Sequence, residues 1–220
     1  VIAGSRSNST ETQLEKSKKY AAMGADALLC ITPYYIKANA EGMYRHFADV
    51  ADAVDVPVIL YNVPGRTGCS IPETVARLAR HPNICGIKEA SGDISYAVKI
   101  ARYLSDDFQM FCGNDDITLP LLSLGASGMI SVWANIMPAA CHQMVTDYLE
   151  GRREQALKAQ LKYLDLINGL FTEVNPIPVK EAMNLMGMDV GGYRLPLCPM
   201  SSEHREKLAG IMRQAGLDVK

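Results

Sequence analysis

A lysine inside a short apolar stretch is the residue of this sequence best suited to covalent chemistry. Lys88 lies in the run Ile-Cys-Gly-Ile-Lys-Glu-Ala (84–90), whose composition is typical of a buried β-strand. Burial disfavours a charged amine, and a neutral amine can attack a carbonyl group to form a Schiff base. Alternation along the strand predicts that Lys88 shares a face with Ile84 and Gly86. The alternative is a strand-end lysine that reaches solvent or pairs with Glu89.

Polar residues also follow three other predicted strands. Because the carboxyl ends of parallel strands meet at one edge of a sheet, these residues are expected to share one site. Tyrosine can transfer protons and arginine can bind a carboxylate, so the set suits an anionic substrate. Each residue alone also fits a rim or turn position, and Asp115 and Asp116 are more typical of caps for the next helix. The four clusters are 32–35, 61–68, 88–92 and 113–116.

The strands that would carry these clusters alternate with helical patterns, as in a parallel α/β sheet. They are expected to begin near Val1, Ala27, Val58, Ile84, Phe108 and Gly128. Six such units fit either an open doubly wound sheet or part of a (β/α)₈ barrel, and composition leaves both open.

Helix signals are clear between and after the strands. Thr10 and Gln13 have the spacing of a capping box, and residues 70–73 predict the start of a helix that runs through Leu78. Beyond residue 137 the strand signals stop, and helices are predicted over 138–150, 153–171, 178–187 and 202–215. We therefore expect an α/β part over 1–150 and a helical part over 151–220.

Composition and residue spacing give no sign of a nucleic-acid, membrane or metal partner. A formal net charge of −2 gives no indication of nucleic acid or of an anionic membrane surface. No apolar run approaches the roughly 18 residues needed to span a bilayer. The six cysteines occur singly, which favours buried thiols in a reducing cytoplasm, and the four histidines lack the spacing of metal ligands.

Several separated motifs resemble one enzyme family. They are Tyr-Asn-Val-Pro-Gly-Arg-Thr-Gly (61–68), Gly-Ile-Lys-Glu-Ala (86–90), Thr-Pro-Tyr-Tyr (32–35), Ile-Ser-Val-x-Ala-Asn (130–135) and Asn-Pro-Ile-Pro-Val-Lys (175–180). Their order and gaps resemble the dihydrodipicolinate synthase family, a lyase family within the class I Schiff-base pyruvate aldolases. The resemblance implies a (β/α)₈ barrel with a C-terminal helical extension.

The resemblance also implies a reaction and a set of site residues. Pyruvate would condense with L-aspartate-4-semialdehyde to 4-hydroxy-tetrahydrodipicolinate, a step of lysine and diaminopimelate synthesis, with a covalent imine and no metal or organic cofactor. Lys88 would form the imine, Tyr61 would relay protons, and Tyr35 would be lent to a neighbouring subunit of a homodimer or homotetramer. Three further assignments are Arg66 to the semialdehyde carboxylate, Gly113, Asn114 and Ile130 to the pocket lining, and Asn8 and Tyr34 to a possible allosteric lysine site.

Two other functions stay open at this point. A related pyruvate-dependent aldolase of sugar keto acids would keep the lysine and the tyrosine, and a non-catalytic barrel would bind a small acid. The arginine of the Pro-Gly-Arg-Thr turn favours the synthase over sialic acid lyases.

The sequence also departs from the family pattern. Val1 would open the third barrel strand, so we expect strands 3–8 only, in a fragment that lacks the first two βα units and the Gly-Thr-Thr-Gly-Glu loop. A polypeptide that began at Val1 would have weak synthase activity or none. Arg6 stands where the family usually has glycine, and Thr12 stands where an acidic partner of bound lysine is expected. Lysine inhibition is therefore in doubt, and a turn or cap is the safer prediction for Asn8.

Overall fold

The computed structural model describes residues 1–71 and 74–220, in which six parallel strands form one sheet. The strands are β1 (Ile2–Gly4), β2 (Ala27–Ile31), β3 (Val58–Asn62), β4 (Ile84–Glu89), β5 (Gln109–Cys112) and β6 (Gly128–Met129). Each strand pairs with the next one along the chain. A doubly wound sheet reverses its strand order at a switch point, whereas this consecutive order is that of a (β/α)₈ barrel. The predicted fold class is confirmed, and each strand begins within one residue of its predicted start.

The two faces of the sheet differ in burial. We call one the buried face; its side chains have no exposed surface, and they are Leu28, Cys30, Val58, Leu60, Ile87, Met110 and Cys112. We call the other the open face, formed by Ala27, Leu29, Ile59, Tyr61, Lys88 and Phe111. On the open face the apolar side chains pack together, while Tyr61, Lys88 and Phe111 stay partly exposed.

A bulge in β4 corrects one detail of the sequence prediction. Val58 pairs with Ile84 but Ile59 pairs with Gly86, so the register shifts by one residue between them. An extra residue in one strand reverses the alternation that precedes it. Lys88 therefore shares its face with Gly86 but not with Ile84.

Eleven α-helices occur in the described residues, and most match the predicted segments. They are α1 (Thr10–Ala22), α2 (Ala40–Asp52), α3 (Pro64–Thr67), α4 (Val75–Leu78), α5 (Ile94–Ala101), α6 (Thr118–Ser123), α7 (Pro138–Leu149), α8 (Arg153–Lys162), α9 (Leu164–Gly169), α10 (Ile177–Leu185) and α11 (Ser202–Gln214). The predicted helix 153–171 is divided at Tyr163 into α8 and α9. Pro72 and Glu73, which were predicted to open α4, lie outside the described residues.

The predicted capping box of α1 is wrong by one residue. Ser9 is the N-cap, and its hydroxyl accepts a hydrogen bond from the Thr12 amide. Thr10 and Gln13 instead contact the two ring nitrogens of the buried His46, at 2.9 and 3.0 Å. These two side chains, which the local pattern assigned to the cap, thus make tertiary contacts with α2 instead.

The chain divides into two compact units. Val1–Asn114 and Pro120–Ile130 form the first, which contains every strand, while Asp115–Leu119 and Ser131–Lys220 form the second. Within the second unit the Asp115 carboxylate accepts hydrogen bonds from the amides of Val132 and Trp133, at 3.0 and 2.7 Å. The Asp115 carboxylate thus binds the amides at the start of the 3₁₀ helix Trp133–Asn135. A cap of the next helix by Asp115 or Asp116 stays a prediction. The division at residue 150 stays a prediction.

Among residues 1–71 and 74–220, no helix combines the length and the apolar character needed to cross a membrane.

Candidate active site

Lys88 and Tyr61 form the centre of the site. They pair in register across β3 and β4, and both side chains project from the open face. The Lys88 Nζ atom lies 4.5 Å from the centroid of the Tyr61 ring, within the range of a cation–π contact. The predicted nucleophile and the predicted proton relay thus lie side by side at the carboxyl ends of neighbouring strands.

Glu89 has a different environment from Lys88, because it projects from the other side of β4. Its carboxylate is buried and accepts hydrogen bonds from Asn62 Nδ2 at 2.7 Å and from the Ser91 amide at 2.6 Å. Burial raises the pKa of Glu89, and the two hydrogen-bond donors oppose that rise. The alternative in which Lys88 pairs with Glu89 is therefore disfavoured by this arrangement.

Gly113 provides room for the lysine. Its amide donates to the Glu89 carbonyl oxygen at 2.7 Å, which holds the backbone close to β4. A Cβ atom on this residue would lie 2.5 Å from Ala90 Cβ and 2.9 Å from Lys88 Cε. Both distances are too short for real contacts, so the present position of the Lys88 side chain depends on a glycine at 113.

Asn114 and Ile130 lie near the same strand ends. The Ile130 amide donates to the Cys112 carbonyl oxygen at 2.8 Å, which extends the pairing of β5 and β6. The Asn114 side-chain oxygen is buried, and within the described part of the chain it accepts no hydrogen bond. It is thus an acceptor placed one residue beyond Gly113.

Arg66 follows β3 on the one-turn helix α3. Gly68, with a φ of 72°, ends that helix in the left-handed conformation, and its amide donates to the Pro64 carbonyl oxygen at 2.9 Å. The buried Thr67 hydroxyl accepts from Thr32 at 3.0 Å, which connects the ends of β2 and β3. Arg66 itself is exposed.

The electrostatics of Tyr61 combine opposing effects. Burial is the largest effect and raises the pKa of Tyr61 above its ordinary value near 10. The positive charges of Arg6 and Arg66 lower it, with Arg6 contributing more. Tyr61 is therefore a protonated phenol at neutral pH.

Tyr35 is not brought together with Lys88 and Tyr61. Its side chain is 93% exposed. Its φ of 70° and the 2.8 Å hydrogen bond from the Ile36 amide to the Tyr34 carbonyl oxygen define a γ-turn, a rare and strained conformation. Asn8 is half-buried in the bend that precedes Ser9, and Tyr34 is 40% exposed.

The structure adds Arg6 to the residues that sequence reasoning singled out for the site. The sequence marked Arg6 only as a departure from the family pattern, although it follows β1 at the same edge of the sheet. No group of three or more His, Cys, Asp or Glu side chains that could hold a metal ion occurs in residues 1–71 or 74–220.

The consecutive strand order places the chain in the (β/α)₈-barrel class, and its polar side chains lie at the carboxyl ends of the strands, where the active sites of that class are found. Residues 1–215 match the dihydrodipicolinate synthetase family. The chain belongs to this family, and the family predicted from the sequence is confirmed.

Similar proteins of known name and structure agree with this assignment. The chain is 49% identical over 219 residues to the 4-hydroxy-tetrahydrodipicolinate synthase of Thermoanaerobacter sp. (strain X514). The aligned region covers 99% of this chain and 74% of the relative. The lysine-bound enzyme of Cyanidioschyzon merolae superposes with a TM-score of 0.95 at 42% identity, over 99% of this chain and 74% of the other. The pyruvate complex of the chloride-inhibited enzyme of Acinetobacter baumannii gives 0.95 at 43% identity, over 98% and 75%. The protein is thus an enzyme of the dihydrodipicolinate synthase type.

Proposed function

We propose that this protein condenses pyruvate with L-aspartate-4-semialdehyde to form 4-hydroxy-tetrahydrodipicolinate. The observation that carries the proposal is the Lys88 amine, 4.5 Å from the ring centre of Tyr61 on the open face. The pyruvate-bound relative from Acinetobacter baumannii supports pyruvate as the first substrate.

In the proposed first half-reaction, Lys88 Nζ attacks the keto carbon of pyruvate. The carbinolamine that results loses water, and the imine nitrogen takes up the positive charge. Because Tyr61 is protonated, it can donate the proton that the departing hydroxyl group needs. The Tyr61 phenolate that this transfer leaves then takes a proton from the pyruvate methyl group, and the imine accepts the electrons of the broken C–H bond to give an enamine. The proposal therefore requires no metal or organic cofactor.

In the second half-reaction, the enamine carbon attacks the aldehyde carbon of the semialdehyde. The aldehyde oxygen takes the proton of Tyr61. The substrate amino group then attacks the imine carbon, closes the ring and releases Lys88, and the Tyr61 phenolate takes up the proton that the amino group loses. Arg66 is proposed to bind the carboxylate of the semialdehyde, because its guanidinium can form two parallel hydrogen bonds with a carboxylate. Gly113, Asn114 and Ile130 are proposed to line the pocket around the bound keto acid.

The exposed turn at Tyr35 supports the proposed role of that residue in a homodimer or homotetramer. A tyrosine that is almost fully exposed on a strained turn is held away from its own subunit. Sedimentation analysis with Tyr35→Ala and the parent chain tests this assembly. A parent that remains monomeric at assay concentration contradicts it.

Lysine binding at Asn8 and Tyr34 stays a prediction. The Cyanidioschyzon merolae relative has bound lysine, whereas Asn8 here lies in the bend that leads into α1, a position that supports a turn role. Titration with lysine during turnover decides between the two roles.

Reduction with borohydride in the presence of pyruvate tests the proposed function. We expect a covalent adduct that peptide mapping locates on Lys88 in the parent chain and in Lys99→Arg, and no adduct in Lys88→Arg. Folded protein without an adduct would overturn the proposal. A coupled assay with the semialdehyde and with sugar aldehydes then separates the synthase from a keto-acid aldolase.

A further inference from the structure

Ser5 and Arg6 lie on opposite sides of the chain just beyond β1. The buried Ser5 hydroxyl accepts a hydrogen bond from Ser17 at 2.8 Å and lies 3.2 Å from Cys30 Sγ. Cys30 belongs to the buried face, so Ser5 is anchored on that side. Successive residues of an extended chain project to opposite sides, which directs Arg6 to the open face.

Gly4 gives independent evidence for the direction of Arg6. A Cβ atom on Gly4 would lie 3.1 Å from Arg6 Nε and 3.7 Å from Arg6 Cζ. The guanidinium therefore occupies the space into which a side chain at residue 4 would project. Gly4 pairs with Leu29 of the open face, and residues that pair in parallel strands project from the same face. The guanidinium thus lies over the end of β1 on the open face.

The backbone of Arg6 is also held in place. Lys16 Nζ donates to the Arg6 carbonyl oxygen at 3.1 Å. Burial raises the pKa of Tyr61, and the charge of Arg6 opposes that rise more than the charge of Arg66 does. Arg6 is therefore a positive charge close enough to act on a side chain of the candidate site.

We propose that Arg6 binds a carboxylate group of the condensing substrates on the open face. The proposal rests on the proposed function, in which two monocarboxylates join into one dicarboxylic product. Arg66 is assigned to the semialdehyde carboxylate, and a second guanidinium on the face of Lys88 and Tyr61 can bind the keto-acid carboxylate or share the semialdehyde carboxylate with Arg66. The carboxylate belongs either to the keto acid or to the semialdehyde, and the experiment separates these sources.

Equilibrium binding provides a test that does not depend on turnover. Glutarate, an unreactive dicarboxylate, is titrated calorimetrically into the parent chain and into Arg6→Gln, Arg6→Lys and Arg102→Gln. Arg102 is an exposed residue at the end of α5, so its variant makes the same charge change away from the site. We expect Arg6→Gln to bind about 10-fold more weakly, as for the loss of one charge-assisted hydrogen bond, and Arg6→Lys to retain part of the affinity.

Substrate kinetics then identify the carboxylate. In Arg6→Gln we expect a higher KM for only one substrate, pyruvate or the semialdehyde, while imine formation at saturating pyruvate continues. Glutarate binding in Arg6→Gln within 2-fold of the parent, an equal loss in Arg102→Gln, or no binding to the parent would each overturn the proposal. An absent borohydride adduct in the parent overturns the proposed function instead, so the two failures are distinguishable.

Discussion

Residues that are adjacent in a strand differ in burial and in their contacts, because they project from opposite faces of the sheet. On the buried face seven side chains have no exposed surface, including Leu60 and Ile87. On the open face, the residues that follow them in the chain are Tyr61 and Lys88, which are partly exposed and in contact with each other. Of two adjacent residues in one strand, one thus belongs to the tightly packed core and the other to the candidate site.

This difference predicts that stability and reactivity depend on separate sets of side chains. In a close-packed interior the loss of even one methylene group lowers the free energy of unfolding. The buried face is therefore expected to contribute most of that free energy. The open face can hold an amine and a phenol because its packing is incomplete. Substitutions of adjacent residues can therefore test whether the two roles are separable.

The largest expected effect is at Lys88. Lys88→Met keeps an unbranched side chain, one heavy atom shorter, and removes the amine, so we expect complete loss of the pyruvate adduct with little change in unfolding free energy. Ile87→Ala should cost about 2–5 kcal/mol of stability and still form the adduct while folded. Mass spectrometry after borohydride reduction and urea denaturation measure the two quantities. An adduct in Lys88→Met would contradict the assignment of imine formation to Lys88 on the open face.

Tyr61 and Leu60 provide the second pair. Tyr61→Phe removes only the hydroxyl group, and loss of a proton donor should lower kcat by about 10²–10⁴-fold. Leu60→Ala should destabilise the chain by about 2–5 kcal/mol and leave the kcat of the folded fraction close to that of the parent. Steady-state kinetics at saturating substrate check this prediction. A kcat of Tyr61→Phe within a few-fold of the parent would remove Tyr61 from the proposed mechanism.

Gly113→Ala tests the space around the lysine. The added methyl group would lie 2.9 Å from Lys88 Cε, so the amine must move, and a displacement of about 1 Å can cost about 10²-fold in rate. Gly128→Ala is the matched control, because a Cβ atom at that position meets no atom within 4 Å. The rate of pyruvate trapping measures the effect. Equal rates in the two variants would show that a methyl group at residue 113 does not displace the Lys88 amine.

The smallest expected effect concerns Glu89, the carboxylate at the end of β4. Burial raises the pKa of Glu89 in the folded chain, so its protonated form is favoured there and its stabilising contribution is lost as pH rises through that pKa. Glu89→Gln should therefore lose less stability than the parent as the pH rises from about 4, the ordinary range of a free glutamate, through the raised pKa of Glu89. Urea denaturation across this range measures the slope, with the exposed Glu206→Gln as control. Parallel slopes in the parent and Glu89→Gln would contradict the prediction.

Much of the fold was predictable because the strands are short apolar runs of β-forming residues. Their starts, the family and the helical C-terminal region were read from local patterns. The capping box of α1 was misplaced because Thr10 and Gln13 contact His46, a residue far along the chain. The bulge in β4 was missed because its position depends on pairing with β3.

The sequence by itself determined the family and the candidate residues for its chemistry, since Lys88, Tyr61 and Arg66 lie in motifs whose order and gaps are specific to one family. Composition left an open sheet and a barrel undecided and the family resemblance predicted the barrel, whereas the strand order itself is visible only in the tertiary structure, because it is a property of pairing between distant segments. The same holds for the face that each side chain occupies. The space that Gly113 leaves for Lys88 and the position of Arg6 over Gly4 arise from contacts between residues on neighbouring strands or beyond a strand end, which no local pattern specifies.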